Sequence, residues 1–405
     1  MSSPCATNAD TKPLPKGWEW VPLGKYVENH DGRRIPISKK ERESRSGLFP
    51  YYGASGVIDT IDGFTHDGEF LLIGEDGANL LTRSKPLAFL TKGKVWVNNH
   101  AHVLRCKPGY PNAYLAYFIN SIDLSQYVTG TAQPKLSQSM MNKILIPVAP
   151  LEHQHEIVAE IEKQFSRLDE AVANLQRVKA NLKRYKASVL NAAATGGFGE
   201  YRDESLLKWE RTTLGSIADV IDPNPSHRMP KYFAEGYSLI STENFFGEEG
   251  IDFNKGKKVG ADTLNRQRRL FAVETGDFVL SRIGTIGKTR FLPLDRDYCL
   301  SHALVVIKVN TSRVDKRWLR HVISSRSVLS QAREGVQSVG VPDLGMGKIR
   351  GFEIAIPSIE EQLRISGEVD RRLSIIHEVE AEVDTNLRRS QALRLATLAK
   401  AFSNR

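Results

Sequence analysis

"LEHQHEIVAEIE" (151–162) opens a stretch, Leu151 to Thr195, without proline or glycine. Within it Ile161, Leu168, Leu175, Leu182 and Val189 recur at every seventh position. Phe165 and Val172 supply a second seam, which then shifts to Val178 and Tyr185. An apolar residue at this interval keeps one stripe of a helix turned toward a partner, so the spacing predicts a single long helix with a heptad face. "GGFG" (196–199) ends it, because glycine takes up the backbone conformations that terminate helices. A second stretch starts 208 positions later with "IEEQLRISGEVD" (359–370). It carries Val369, Ile376 and Val383 at the same interval, with Leu373 and Leu387 beside them and Leu393, Leu395 and Leu398 continuing an apolar face. Each helix has about 45 residues, or ~65 Å at about 1.5 Å per residue.

The rest of the chain is also written twice. "GWEWVPLGKYVE" (17–28) returns as "KWERTTLGSIAD" (208–219), and "DGEFLLIGEDGANL" (67–80) as "TGDFVLSRIGTIGK" (275–288). "NNHAHVLR" (98–105) resembles "CLSHALVVIK" (299–308), and "YLAYFIN" (114–120) resembles "WLRHVIS" (318–324). "PKLSQSMMNKILI" (134–146) matches "PDLGMGKIRGFEI" (342–354), again 208 positions on. A repeat this long is a duplicated module, not a short-repeat solenoid. "EFLLIG", "VWVNNHAHVLRC", "DFVLSR" and "ALVVIKV" read as strands, "NAYLAYFINS" and "DKRWLRHVISS" as short helices. The class is α+β: two mixed α/β globular parts, each followed by a long helix. Neither small globular part can cover so long an apolar stripe, so the two helices are expected to pair as an antiparallel coiled coil about a pseudo-twofold axis. The expected boundaries are a disordered tail at 1–13, globular parts at 14–150 and 200–356, a central helix and linker at 151–199, and a terminal helix at 357–405.

Composition narrows the function. The 405 residues carry a net charge of +9, which favours an anionic partner. Cys5, Cys106 and Cys299 are far apart, which argues against a zinc site or disulfide framework and fits a reducing cytoplasm. No apolar run is long enough to span a membrane, and the first residues lack a signal-peptide core. "SRIGTIGKTR" (281–290) imitates a phosphate-binding loop, but position 282 is Arg and the glycine falls at 284, two residues late. Its first-half counterpart carries Glu75 and Asp76, which a phosphate cradle would not tolerate. A turn that keeps its frame and changes its chemistry is what a recognition loop needs. "DPNP" (222–225) lacks the paired prolines and aromatic of an amino-group DNA methyltransferase, and no acid-x-Lys pair follows Asp343 as a metal-dependent nuclease would require. His100 and His102 share one strand side with no third ligand, so a hydrogen-bonded structural role is expected.

The tryptophan heading each half, "PYYGASGVIDTIDGFTHDGEFLLIGEDG" (50–77), "GTAQPKLSQSMMNKILIPVAPLEHQ" (130–154), the helix end "LKRYKASVLNAAATG" (182–196) and the final "LAKAF" (398–402) together resemble the specificity (S) subunit of type I restriction-modification systems. The second half departs from this pattern, with "SVGVPDLGMGKI" in place of the GTAQPKL form. The resemblance implies two target recognition domains, each reading one half of a split double-stranded DNA site. The helix pair would set the spacing and dock two methyltransferase (M) subunits, with two restriction (R) subunits joining. The chain itself would catalyse nothing and hold no cofactor or metal; S-adenosylmethionine would belong to the M subunits, and ATP with magnesium to the R subunits. The alternative is a free-standing two-module DNA-binding or scaffold protein on a coiled coil. The basic, turn-rich stretches "LTRSKPLAFLTKGK" (81–94) and "NRQRRLF" (265–271) supply phosphate anchors. Arg83, Lys85, Lys92, Lys135, Arg266, Arg268, Lys288 and Lys348 are the candidate DNA-contacting cations. Asn98 and Gln133 suit adenine and Arg282 suits guanine, because their side chains match those base edges.

Overall fold

The computed structural model describes residues 13–130, 132–198, 209–226, 228–333 and 342–403. Most of the expected N-terminal tail, the linker beyond Phe198, and Thr131 of the GTAQPKL stretch lie outside them. The chain divides into two compact units, residues 1–176 with 384–405, and residues 177–383. The divisions fall inside two 45-residue helices, Leu151–Thr195 and Ile359–Ser403.

The units repeat one framework. In the first, Glu19–Pro22 pairs antiparallel with Leu145–Val148 and closes the globular part just before the long helix. In the second, Glu210–Thr213 pairs with Glu353–Ile356 in the same way. Each unit then has a four-stranded antiparallel sheet. Its order is Val27–Asn29, Ala101–Cys106, Phe70–Gly74, Ala88–Thr91 in the first unit, and Ala218–Ile221, Leu304–Val309, Phe278–Ser281, Thr289–Phe291 in the second. A second sheet in each unit holds one parallel pair, Phe49–Gly53 with Lys94–Val97 and Tyr237–Ile240 with Cys299–Leu300, but the strands around that pair differ.

The strands Phe70–Gly74 and Phe278–Ser281 are buried along their whole length, which is why both read as unbroken apolar runs. Leu71 and Ile73 pack with Leu23, Leu104 and Leu115, while Phe70 and Leu72 face Val95 and Val103. Phe278 and Leu280 pack with Val305 and Trp318, while Val279 faces Ile240 and Val306. Phe278 therefore does the work of Leu71, not of Phe70. The offset of 208 read from the sequence slips by one in this strand, and the structural offset there is 207. The error is easy to make because two adjacent apolar residues give no periodicity, although a one-residue slip turns every side chain to the other face.

The long helices start alike. Gln154 and Gln362 are fully buried at the first turns. Gln154 donates to the Ala149 carbonyl and accepts from the Tyr26 hydroxyl, both at 2.8 Å. Gln362 donates to the Pro357 and Arg313 carbonyls at 2.9 and 2.8 Å and accepts from the Asp315 N–H at 2.8 Å. The shared Gln in "LEHQ" and "IEEQ" thus anchors each helix to its own globular part. In the first unit Ile161 and Leu398 share a cluster with Tyr114, Gln164 accepts from Thr397 at 3.2 Å, and Asp169 pairs with Arg394. Rising numbers on one helix meet falling numbers on the other, so the helix segments of this unit run antiparallel. In the second unit Val189 and Val369 join the main core. Ile161, Val189, Val369, Ile376 and Val383 are buried, and Leu168, Leu175 and Leu182 are half-buried. The shifted seam does not hold: Val178 and Tyr185 are exposed, and so are Leu393 and Leu395. A strict seven-residue count drifts around a helix, and here these side chains turn to solvent.

Candidate nucleic-acid interface

Each central strand runs out into a glycine turn that is clamped by a distant segment. In the first unit the Glu75 N–H donates to the His100 carbonyl at 2.9 Å, the Leu136 N–H to the Glu75 carbonyl at 2.7 Å, and the Gly77 N–H to the Pro134 carbonyl at 3.0 Å. In the second the Arg282 N–H donates to the Ala303 carbonyl at 2.9 Å, the Leu344 N–H to the Arg282 carbonyl at 2.9 Å, and the Gly284 N–H to the Pro342 carbonyl at 2.9 Å. Gly77 and Gly284 both have positive φ, 99° and 73°, which this turn requires. "PKL" and "PDL" are thus equivalent closing segments.

The backbone is the same and the charges are exchanged. Glu75 sits 2.6 Å from Arg34, 3.2 Å from Lys135 and 3.8 Å from His102. Its counterpart is Arg282, whose guanidinium reaches Asp343 at 3.2 Å, Asp222 at 3.3 Å and the His302 carbonyl at 2.9 Å. An acid with a basic closing segment in one unit becomes a base with an acidic closing segment in the other. Burial alone would raise the Glu75 carboxyl, but the Arg34 hydrogen bond, His102 and Lys135 hold it below the usual carboxylate range. Asp31 behaves alike: burial opposes ionisation, and the hydrogen bonds from His102 and the Val103 N–H outweigh it. His102 bridges Asp31 at 2.7 Å and the Leu136 carbonyl at 2.9 Å, while His100 meets Asp76 at 2.7 Å. Both histidines are hydrogen-bonded, His102 buried and His100 about half-exposed. No cluster of three metal-ligating side chains occurs among the described residues.

The candidate DNA contacts separate into two groups. Three are committed to the fold. Arg282 is only 3% exposed. Arg83, at φ 51°, donates to the carbonyls of Asn120 at 2.8 Å and of Ile122, closing the C-terminus of helix Asn112–Ser121. Burial pushes its guanidinium below the ordinary range. Asn98 is buried and accepts from the His100 N–H at 2.8 Å. Sequence cannot separate a structural arginine from a surface one, since both occur in polar, turn-rich stretches. The other group is exposed: Lys85, Lys92, Gln133, Lys135, Arg266, Arg268, Lys288 and Lys348. Gln133 stands on a tight loop, where a Cβ on Gly130 would come within 2.6 Å of the Gln133 carbonyl. Lys92 lies 3.8 Å from Glu69, and Arg268 pairs with Asp297. Arg266 and Arg268 share helix Ala261–Leu270, and Lys348 lies on helix Met346–Arg350.

The sequence reading passed over a set of exposed apolar side chains that lie beside two further exposed lysines, Lys257 and Lys94. In the second unit they are Met229, Tyr232, Phe233 and Phe246, with the Lys257 ammonium 4.3 Å above the Tyr232 ring. In the first unit they are Val57, Ile58 and Phe64, with Lys94 4.7 Å above the Phe64 ring. Their signal was present in "MPKYF" (229–233), where proline and lysine flank aromatics on a short strand.

A framework built twice, with the same turn carrying opposite chemistry and exposed cations beside exposed aromatics, defines a two-module recognition protein. Known proteins say which. Residues 15–184 match the model of the type I restriction modification DNA specificity domain. The chain is 28% identical over 380 residues to a putative type I restriction enzyme specificity subunit of Haemophilus influenzae, covering 92% of each. It is 23% identical over 397 residues to the EcoBI specificity subunit of Escherichia coli, covering 91% of this chain and 79% of that one. Among solved structures, a chain from work on the assembly and conformational transition of the type I R-M system matches with a TM-score of 0.67 at 17% identity, covering 96% of this chain and 99% of that one. The HsdS subunit of Thermoanaerobacter tengcongensis matches with a TM-score of 0.51 at 16% identity, covering 97% and 98%. The chain is thus similar over nearly its whole length to type I restriction enzyme specificity subunits, and its first half matches their DNA specificity domain.

Proposed function

We propose that the chain is the non-catalytic DNA-specificity subunit of a type I restriction-modification system and that each unit reads one half of a bipartite double-stranded DNA target. The observation that carries the reading is the duplicated strand-end turn, whose backbone hydrogen bonds repeat while its side chains differ. A constant scaffold with variable surface chemistry is what reading two different half-sites requires. The exposed cations named above serve as phosphate anchors, with Gln133 and the apolar side chains around Tyr232 and Phe64 as candidates for base edges and thymine methyls. The long helices pair as an antiparallel coiled coil relating the units by a pseudo-twofold axis. Their length of ~65 Å suits half-sites one to two DNA turns apart, at about 34–36 Å per turn. They also dock two M subunits, which use S-adenosylmethionine to methylate adenine. Two R subunits with ATP and magnesium complete a cytoplasmic complex. No helix among the described residues is long and apolar enough to cross a membrane. Long-read mapping of methylated adenine, with and without this gene, tests the reading. One split motif should disappear on deletion. An unchanged methylome with the M partner expressed refutes it.

A further inference from the structure

The end of the turn at 283–288, Gly287 and Lys288, borders a cavity of about 190 Å³ in the second unit. Lys288 reaches it from that turn, Arg290 and Arg320 from the strand and helix behind, Lys186 from the first long helix, and His377 from the second. Two carboxylates face these four permanent cations: Glu248 pairs with Lys186 and Glu249 with Arg320. Arg290 donates to the Gly247 carbonyl at 2.7 Å and the Gly250 carbonyl at 3.2 Å, so backbone dipoles supply these hydrogen bonds, while Glu249 and Glu248 act on its charge from nearby. Burial holds its guanidinium below the ordinary range. The Lys288 ammonium has no ion-pair partner among the described residues. Nε2 of His377 is buried and finds no hydrogen-bond partner among them either. An unmatched buried ring nitrogen is costly, and surplus cations in a concavity attract an anion with several acceptor oxygens.

We propose that this cavity binds a phosphate-type oxyanion, held by Lys288 and His377 and flanked by Arg320 and Lys186. A bound oxyanion ties the turn that follows the central strand to the second long helix, so occupancy stiffens the recognition loop against the element beneath it. Two sources share this chemistry: a free phosphate, or a backbone phosphate of the bound DNA. The second source rests on the specificity reading and the first does not.

The test uses the full chain and two variants, Lys288→Gln and His377→Gln; Lys288 is exposed, so its variant will fold. Inorganic phosphate is titrated against chloride at equal ionic strength while the unfolding temperature is followed. Saturable stabilisation by phosphate, weakened about tenfold or more in both variants, identifies a free-anion site. No response to phosphate, with the slope of log K against log salt for DNA binding lowered by about one in Lys288→Gln, identifies a DNA phosphate. A wild-type chain that ignores phosphate and a Lys288→Gln chain with an unchanged salt slope overturn the proposal. So does a phosphate response that both variants retain in full. Phosphate uptake by a chain without sequence-specific DNA binding would keep the oxyanion site and sink the specificity reading.

Discussion

Replacing Arg282 by methionine decides whether that side chain reads DNA or holds the fold. Methionine keeps much of the aliphatic stem and removes the charge. The guanidinium is 3% exposed and reaches two carboxylates and a carbonyl. Asp343 is half-exposed, so its pairing contributes in the surface range, about 0–1 kcal/mol. Asp222 is nearly buried, and removing one partner from a buried ion pair costs about 3–5 kcal/mol. The His302 carbonyl loses a charged donor as well. The expected loss is about 3 kcal/mol, or roughly 6–12 °C in the unfolding temperature of a domain this size. Urea or thermal unfolding of the full chain measures it. Mapping of methylated adenine at a temperature where the variant stays folded should return the unchanged motif. An Arg282→Met protein of wild-type stability that changes or relaxes one half-site would refute the reasoning.

Further outcomes follow from the same geometry. Arg83→Ala should cost about 2 kcal/mol, because it strips the carbonyls at the end of helix Asn112–Ser121, and should leave the salt dependence of DNA binding unchanged. Lys85→Gln should do the reverse, lowering that slope by about one without changing stability; matching slopes for the two variants would contradict the division made here. Ile376→Ala should destabilise the second unit by about 2–4 kcal/mol, whereas neighbouring Ile375→Ala, on the solvent side, should stay within about 0.5 kcal/mol, as read by urea midpoints. Asp31 and Glu75 have depressed carboxyl values in the folded state, so their contribution is fully present above the unfolded values near 3.8 and 4.5. It is lost as pH falls below these values through the folded ones. Acid titration followed by circular dichroism should show Glu75→Gln blunting the loss of stability below pH ~4; an identical acid limb would count against the cluster.

The framework was legible because it is written in periodicity and repetition. Heptads at Ile161 to Val189, buried runs at Phe70 and Phe278, and two helix openings at one offset all survive in the folded chain. The strand register was not legible, because an unbroken apolar run does not say which residue faces which core. Individual site residues were least legible. Arg83, Asn98 and Arg282 look like surface polar groups in the sequence, yet carbonyls and an acid brought from 20 to 61 positions away consume the two arginines, and the Asn98 side chain is buried on the nearby His100 N–H. The exposed aromatics were overlooked for the opposite reason: an apolar residue on a short strand reads as core.

A chain that contains nearly the same fold twice risks assembling one half with pieces of the other. The closing segments "PKL" and "PDL" offer their strand ends the same backbone hydrogen bonds, so shape alone would accept either. Charge does not. A misplaced Lys135 would meet Arg282, and a misplaced Asp343 would meet Glu75, each a like-charge contact at a partly buried position. The exchanged ion pairs would thus disfavour the wrong dock by like-charge contact. Sequence drift between the halves of a duplicated protein can thus favour correct folding, and need not be only a record of divergence.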